Sequence, residues 1–238
     1  MGRAYEVRKA SIQKTGAAKA KLYSMYAREI YQVAKNGGTE IDSNIALKRL
    51  VDKAKHEQVP SDIIKRAIDK VNSGVDESYE SARYEIFGPA GSTLIVDCLT
   101  DNVNRSVSSI RAVLNKTKSK MGAQGSVAYM YDNLSVVSFK GLSEEETLEA
   151  MIEAGIEIDD IELQGDEIVI YGLPQDLYNI KETILNINHD ISFNTDEITT
   201  LAKEKITITG EDLECFNKLC AMLEDIEDVQ HVYHNVNI

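Results

Sequence analysis

The chain has 238 residues, 43% apolar and 27% charged, with 26 Lys+Arg against 39 Asp+Glu and a formal net charge of −13. This is the make-up of a globular protein of one large or two to three small domains. No apolar stretch approaches the roughly 18 to 20 residues that cross a bilayer, the opening "MGRAYEVRKA" is basic rather than leader-like, and Cys98, Cys215 and Cys220 have no motif spacing. A disulfide framework and a membrane role are therefore not expected, and a cytoplasmic location is.

The first 16 residues read as a basic, flexible or partly helical arm. From Ala17 to Asn36, Leu22, Tyr26, Ile30 and Val33 recur at helical spacing, and Gly37-Gly38 stops the helix. Asp42-Ser43-Asn44 offers N-caps to a second helix carrying Leu47, Leu50, Val51 and Ala54, and Pro60 opens a third with Ile64, Ala67, Ile68 and Val71 inward. Period two then takes over: "RYEIFG" and "STLIVDCLT" flank a Gly88–Gly91 turn. A helix near Asn104–Lys118 follows, then two strands, "GSVAYMYD" and "SVVSFKG", hinged at Asp132-Asn133. Ser143-x-x-Glu146 is a capping box opening a helix to about Ala154. "IEIDDIEL" and "EIVIYG" form a hairpin, Pro174 begins a helix to about Asn188, and a weak strand lies near Ile191–Phe193. "KITIT" reads as a strand, Thr209 caps a helix to about Glu224, and "VQHVYHNVNI" closes as a strand.

Residues 135–195 thus spell β-α-β-β-α-β, the ferredoxin-like pattern, and 92–131 together with 205–238 supply a second set. The expected fold class is α+β with three domains: an N-terminal three-helix bundle and two ferredoxin-like modules, one inserted in the other. The expected boundaries are 1–75, 76–134 with 205–238, and 135–204 for the acidic insert.

Charge is distributed unevenly along this order. Residues 1–72 carry 15 basic against 8 acidic groups, 73–139 carry 6 against 7, and 140–238 carry 5 against 24. A basic end facing an anionic partner is one reading and merely solvated faces the other. Since the acidic half repels nucleic acid, any such binding surface must be local.

Catalytic motifs are missing: there is no G-x-S-x-G, H-E-x-x-H, C-x-x-C, phosphate-binding or dinucleotide-binding glycine loop. His231 and His234 fall on opposite faces of a strand, and Cys215 and Cys220 lie about 140° apart on a helix, so no metal site is expected. The acidic clusters Glu144–Glu146, Asp159-Asp160 and Leu223–Val229 sit where solvated carboxylates belong. The protein is expected to be no enzyme and to need no cofactor.

Binding is better represented. Arg3, Arg8, Lys9 and Lys14 in the arm, with Lys19 and Lys21 following, could contact phosphates while Tyr5 stacks on a base. Within "LTDNVNRSVSSIRAVLNK", Asn102 or Asn104 can cap the helix, but Arg105 puts a cation at the wrong end of the dipole. Either an anion binds there, with Arg111 and then Lys116, Lys118 and Lys120 extending the charge, or Arg105 pairs with an acid from another element. The sequence leaves these two explanations open.

"RYEIFGPAGSTLIVDCLTDNVNRSVSSIRAVLNK", "GAQGSVAYMYD" and "AMLEDIEDVQHVYHNV" resemble, in order and over essentially the whole chain, the YebC/PmpR family, which includes the mitochondrial translational activator of cytochrome c oxidase. Met1-Gly2-Arg3 and the short arm are similar to its YeeN-like branch. The resemblance implies three α/α+β domains without catalytic activity, acting as probable transcriptional regulators on DNA or as translation factors on ribosomal RNA that ease stalls such as proline runs. By position it implies contacts from the arm and from the Asn102–Arg111 motif. This chain differs from the family pattern at Tyr5, where Trp is common, at Ile86, where Gly is usual, and at Lys118-Ser119, where a glycine pair usually follows the helix. The leading expectation is a nucleic-acid-binding regulator, with ribosomal action or protein contacts through the acidic half as rivals.

Overall fold

The computed structural model describes residues 16–74 and 77–237, with side chains from residue 19 onward. Helix α1 (Gly16–Gly37), α2 (Ile45–His56) and α3 (Ser61–Asn72) turn their apolar stripes inward onto one core of Leu22, Tyr26, Ile30, Leu47, Val51 and Ile64. That core follows from the helical spacing of those residues. Asn44 makes the α1–α2 corner: its Oδ1 accepts from Leu47 N–H (3.0 Å) as the α2 cap, and its amide donates to Gly38 O (2.8 Å). The expected arm at residues 1–15 lies outside the described residues.

Two four-stranded antiparallel sheets follow. The first joins β1 (Glu80–Phe87), β2 (Thr93–Thr100), β3 (Lys120–Met121) and β8 (Val229–His234) in the order β3-β1-β2-β8. Helices α4 (Val103–Lys116) and α7 (Gly210–Glu224) bury Ile110, Val113, Leu114, Phe216, Leu219 and Leu223 with the even-numbered residues Ile86, Leu94, Val96 and Cys98 of that sheet. Period two places those four strand residues on one face. The second sheet joins β4 (Tyr131–Phe139), β5 (Ile158–Gln164), β6 (Glu167–Gly172) and β7 (Phe193–Ala202) in the order β5-β6-β4-β7. With α5 (Glu144–Glu153) and α6 (Leu177–Ile187) this is the ferredoxin-like arrangement, its core formed by Val137, Phe139, Met151, Ile168, Ile170, Ile180 and Ile184.

By contacts the chain divides into two units, Tyr129–Lys205 and the remainder through Ala128 with Ile206–Asn237, so the first sheet is built from both sides of the second. Each capping expectation has a structural outcome. Ser143 and Glu146 exchange both bonds of the capping box, whereas Thr209 makes no side-chain cap bond to α7.

Several elements differ from their sequence reading. "GSVAYMYD" and "SVVSFKG" are not two strands hinged at Asp132-Asn133; a 3₁₀ turn at Ala128–Met130 leads into the single strand β4. Asp132 and Asn133 sit opposite Leu201 and Thr200 of β7, and this pairing overrides their turn preference. Of the weak strand expected near Ile191–Phe193, Phe193 alone is strand, and it starts the ten-residue β7. "KITIT" contributes only one parallel bridge, Ile206 to Val236. Pro174 opens a 3₁₀ turn, after which α6 begins at Leu177. No helix of the described residues is long and apolar enough to cross a membrane.

Candidate nucleic-acid interface

The N-terminus of α4 is held from several directions. Asn102 is its cap, accepting from Arg105 N–H at 3.1 Å. The Arg105 guanidinium meets its counter-charge within the chain. It donates to Asp228 through Nη2 (2.7 Å) and Nε (3.1 Å), and to Asp101, four residues back, at 2.7 Å. The Asp228 side chain is only 3% exposed, against 48% for Arg105. It also accepts from Ser106 Oγ (2.8 Å) and from Arg28 Nη1 on α1 (3.4 Å). Burial pushes the Asp228 carboxyl up, but the bonds from Arg105 and Ser106 and the guanidinium charge outweigh it, leaving the group below the usual carboxylate range. One buried acid thus joins the bundle, α4 and the approach to β8. Its partner Arg105 is spent on that tie.

A second buried carboxylate organises the "GAQGSVA" loop. Glu85 of β1 accepts from the backbone N–H groups of Gly125, Val127 and Ala128. Burial raises its pKa, and the three backbone donors more than reverse this, so the carboxylate form is held.

The outer face of α4 is different in kind. Ser106, Ile110, Val113, Leu114 and Thr117 are buried, whereas Asn104, Ser108, Arg111, Asn115 and Lys118 are exposed. The spacing of four, three and four residues places Asn104, Ser108, Arg111 and Asn115 in one line along the helix, and Lys118 lies just past its end. Lys116 and Lys120 are exposed beside that line. Arg111, Lys116, Lys118 and Lys120 make no ion pair among the described residues. By contrast, in the unit Tyr129–Lys205 the Lys140, Lys181 and Lys203 amines are paired with Asp166, Asp196 and Asp132.

Lys118 carries a further peculiarity. It has φ 51°, and the next residue, Ser119, donates to Leu114 O at 3.1 Å. This is a Schellman ending with lysine where glycine is preferred, so the turn is made without the glycine.

The remaining predicted contacts separate. Arg3, Tyr5, Arg8, Lys9 and Lys14 lie outside the described residues. Lys19 is exposed. Lys21 is half-buried, its amine lowered by burial, with Glu224 and Asp225 of the α7 end acting in the opposite direction. Asn102 serves as a cap, and Asn104 and Arg111 stand in the α4 line. Ser108 and Asn115 were not singled out because they offer neither a charge nor a cap at the helix start, although the helical period read from Asn104 passes through both. Among the described residues no three metal-ligating side chains come together.

Fold and site define a class: a basic helical bundle joined to two α+β modules, one nested in the sequence of the other, with exposed cations on one helix that make no ion pair among the described residues. The chain belongs to the TACO1/YebC family. Residues 3–74 match the model of its N-terminal domain, and residues 79–236 that of its second and third domains. It is 45% identical over 238 residues to a probable transcriptional regulatory protein of Vibrio cholerae, with all of both chains covered. It is likewise 45% identical over 235 residues to one of Pseudoalteromonas atlantica, covering 99% of this chain and 97% of the other. The crystal structure of a conserved hypothetical protein from Aquifex aeolicus superposes with a TM-score of 0.76 at 31% identity, covering 94% and 93% of the two chains.

Proposed function

We propose that this protein is a non-enzymatic regulator of gene expression that binds duplex DNA through the outer face of α4. The observation that carries the reading is the line Asn104, Ser108, Arg111 and Asn115 with Lys118 just past its end, whose cations have no counter-charge among the described residues. Asparagine and arginine are the side chains that read adenine and guanine edges, and serine and lysine suit phosphates. A helix fits the major groove of B-DNA, whereas the deep, narrow major groove of an RNA duplex does not admit one. The basic residues Arg3, Arg8, Lys9, Lys14 and Lys19 add sequence-independent phosphate attraction, with Tyr5 as a stacking group. The names of the relatives in Vibrio and Pseudoalteromonas agree with such a role.

The test is fluorescence anisotropy with labelled duplex DNA, an RNA hairpin and ribosomal RNA fragments across a salt series. The reading expects DNA binding whose salt slope falls by about 0.9 for each of Arg111 and Lys118 changed to Ala. Preference for ribosomal RNA, abolished by the same substitutions, would move the protein to a translation role. An unchanged slope in the double variant would remove α4 from the interface.

A further inference from the structure

We infer that the outer face of α5 docks a lysine- and arginine-rich amphipathic helix of a partner protein. The unit Tyr129–Lys205 has 18 Asp+Glu against 4 Lys and no Arg, a net charge of −14. Three of those lysines are already paired with acids. Helix α5 itself carries Glu144, Glu145, Glu146, Glu149 and Glu153 with no basic residue.

Charge alone would make α5 a solvated surface, but the helix also carries an exposed apolar stripe flanking its buried face. Thr147 and Met151 are turned into the core, while about 100° round the helix from them Leu148 is 39% and Ile152 68% exposed. Leu148 and Ile152 are four residues apart and form one ridge, with Glu145 and Glu149 beside it on the exposed face. An isolated exposed leucine needs no explanation. An aligned pair bordered by carboxylates matches the two components of a helix interface, an apolar centre and a charged rim.

Charge selects the occupant. A second copy would set one unit of −14 against another, and a nucleic acid would be repelled in the same way. A cationic helix with apolar residues at i and i+4 satisfies both the ridge and its rim. This surface lies on a different unit from α4, so it is independent of the DNA reading and can fail separately.

The experiment uses the full chain and a synthetic 18-residue leucine/lysine amphipathic helix bearing one tryptophan. The chain has no Trp, so the peptide indole is the sole reporter at long excitation wavelength. Backbone amide chemical shifts of the protein locate the contact. The expected result is saturable binding with shifts centred on Leu148 and Ile152, weakened at least about tenfold by Leu148→Ser/Ile152→Ser. Arg111→Ala/Lys118→Ala is expected to leave peptide binding unchanged. Equal binding to the serine variant, or equally tight binding of a lysine peptide without leucine, would overturn the inference. So would self-association of the unliganded protein in sedimentation that Ile152→Ser abolishes, since a second copy would then occupy the ridge.

Discussion

Replacing Lys118 by Gly is expected to stabilise the protein and weaken its hold on DNA at once. The left-handed conformation at φ 51° costs an L-residue about 1–2 kcal/mol. Glycine removes that cost but brings an unfolded-state entropy penalty of roughly 0.5–1 kcal/mol. The net gain is about 0.5–1 kcal/mol, which raises Tm by roughly 1–4 °C for a chain of this size. The Schellman bond from Ser119 N–H to Leu114 O is a backbone interaction, and glycine leaves it in place. In the DNA salt series the same variant is expected to lose about 0.9 of slope, one phosphate contact. Lys118→Gln separates the effects: it keeps the strained backbone, removes the charge, and should lower the slope without the gain in Tm. A destabilised glycine variant would refute the conformational argument. A stabilised one with an unaltered slope would mean that the strained lysine does not serve binding.

Asp228→Ala removes the buried acceptor shared by Ser106, Arg28 and Arg105, and is expected to cost about 3 kcal/mol, the low end for breaking a buried pair because Arg105 is half-exposed and keeps Asp101. Urea denaturation checks the value, and additive effects of Asp228→Ala and Arg105→Ala would contradict the coupling. Because Asp228 and Glu85 are held below their ordinary pKa values, their contribution should be fully present above about pH 4 and vanish as pH falls through the depressed values. The wild-type advantage over Asp228→Asn in urea midpoint should therefore shrink from pH 5 towards pH 2; a constant difference would count against the tie. Glu85→Ala is expected to speed hydrogen exchange at the Gly125, Val127 and Ala128 amides by at least roughly tenfold while α4 amides keep their protection. The thiols of Cys98 and Cys220 are pushed up to about 12 by burial, so native alkylation at pH 8 should be slow at both and fast after unfolding.

The parts of the fold readable in the sequence are those set by neighbours in the chain. Leu22, Tyr26 and Ile30 announce α1 by spacing, and Ser143 with Glu146 announces α5 by chemistry completed within four residues. What escaped the sequence depends on distant partners. Asp132-Asn133 looks like a turn until Leu201 and Thr200 pair with it across the sheet. Arg105 looks misplaced until Asp228, 123 positions later, supplies its counter-charge. The α4 line was partly visible, through Asn104, Arg111 and Lys118. Ser108 and Asn115 needed the burial of Ile110 and Leu114 to show which side of the helix faces out.

The nested topology has a consequence for the order in which the protein is made. Strand β4 pairs with β7 from Tyr131–Ala202 inward, so the inserted module holds all its own strands and can close once residue 205 has emerged. The surrounding sheet must wait. Its strand β2 is bordered on one side by β8, about 130 residues later, and until then β2 exposes an unpaired, strongly apolar edge. Vectorial synthesis therefore imposes a folding sequence in which the guest is native before its host.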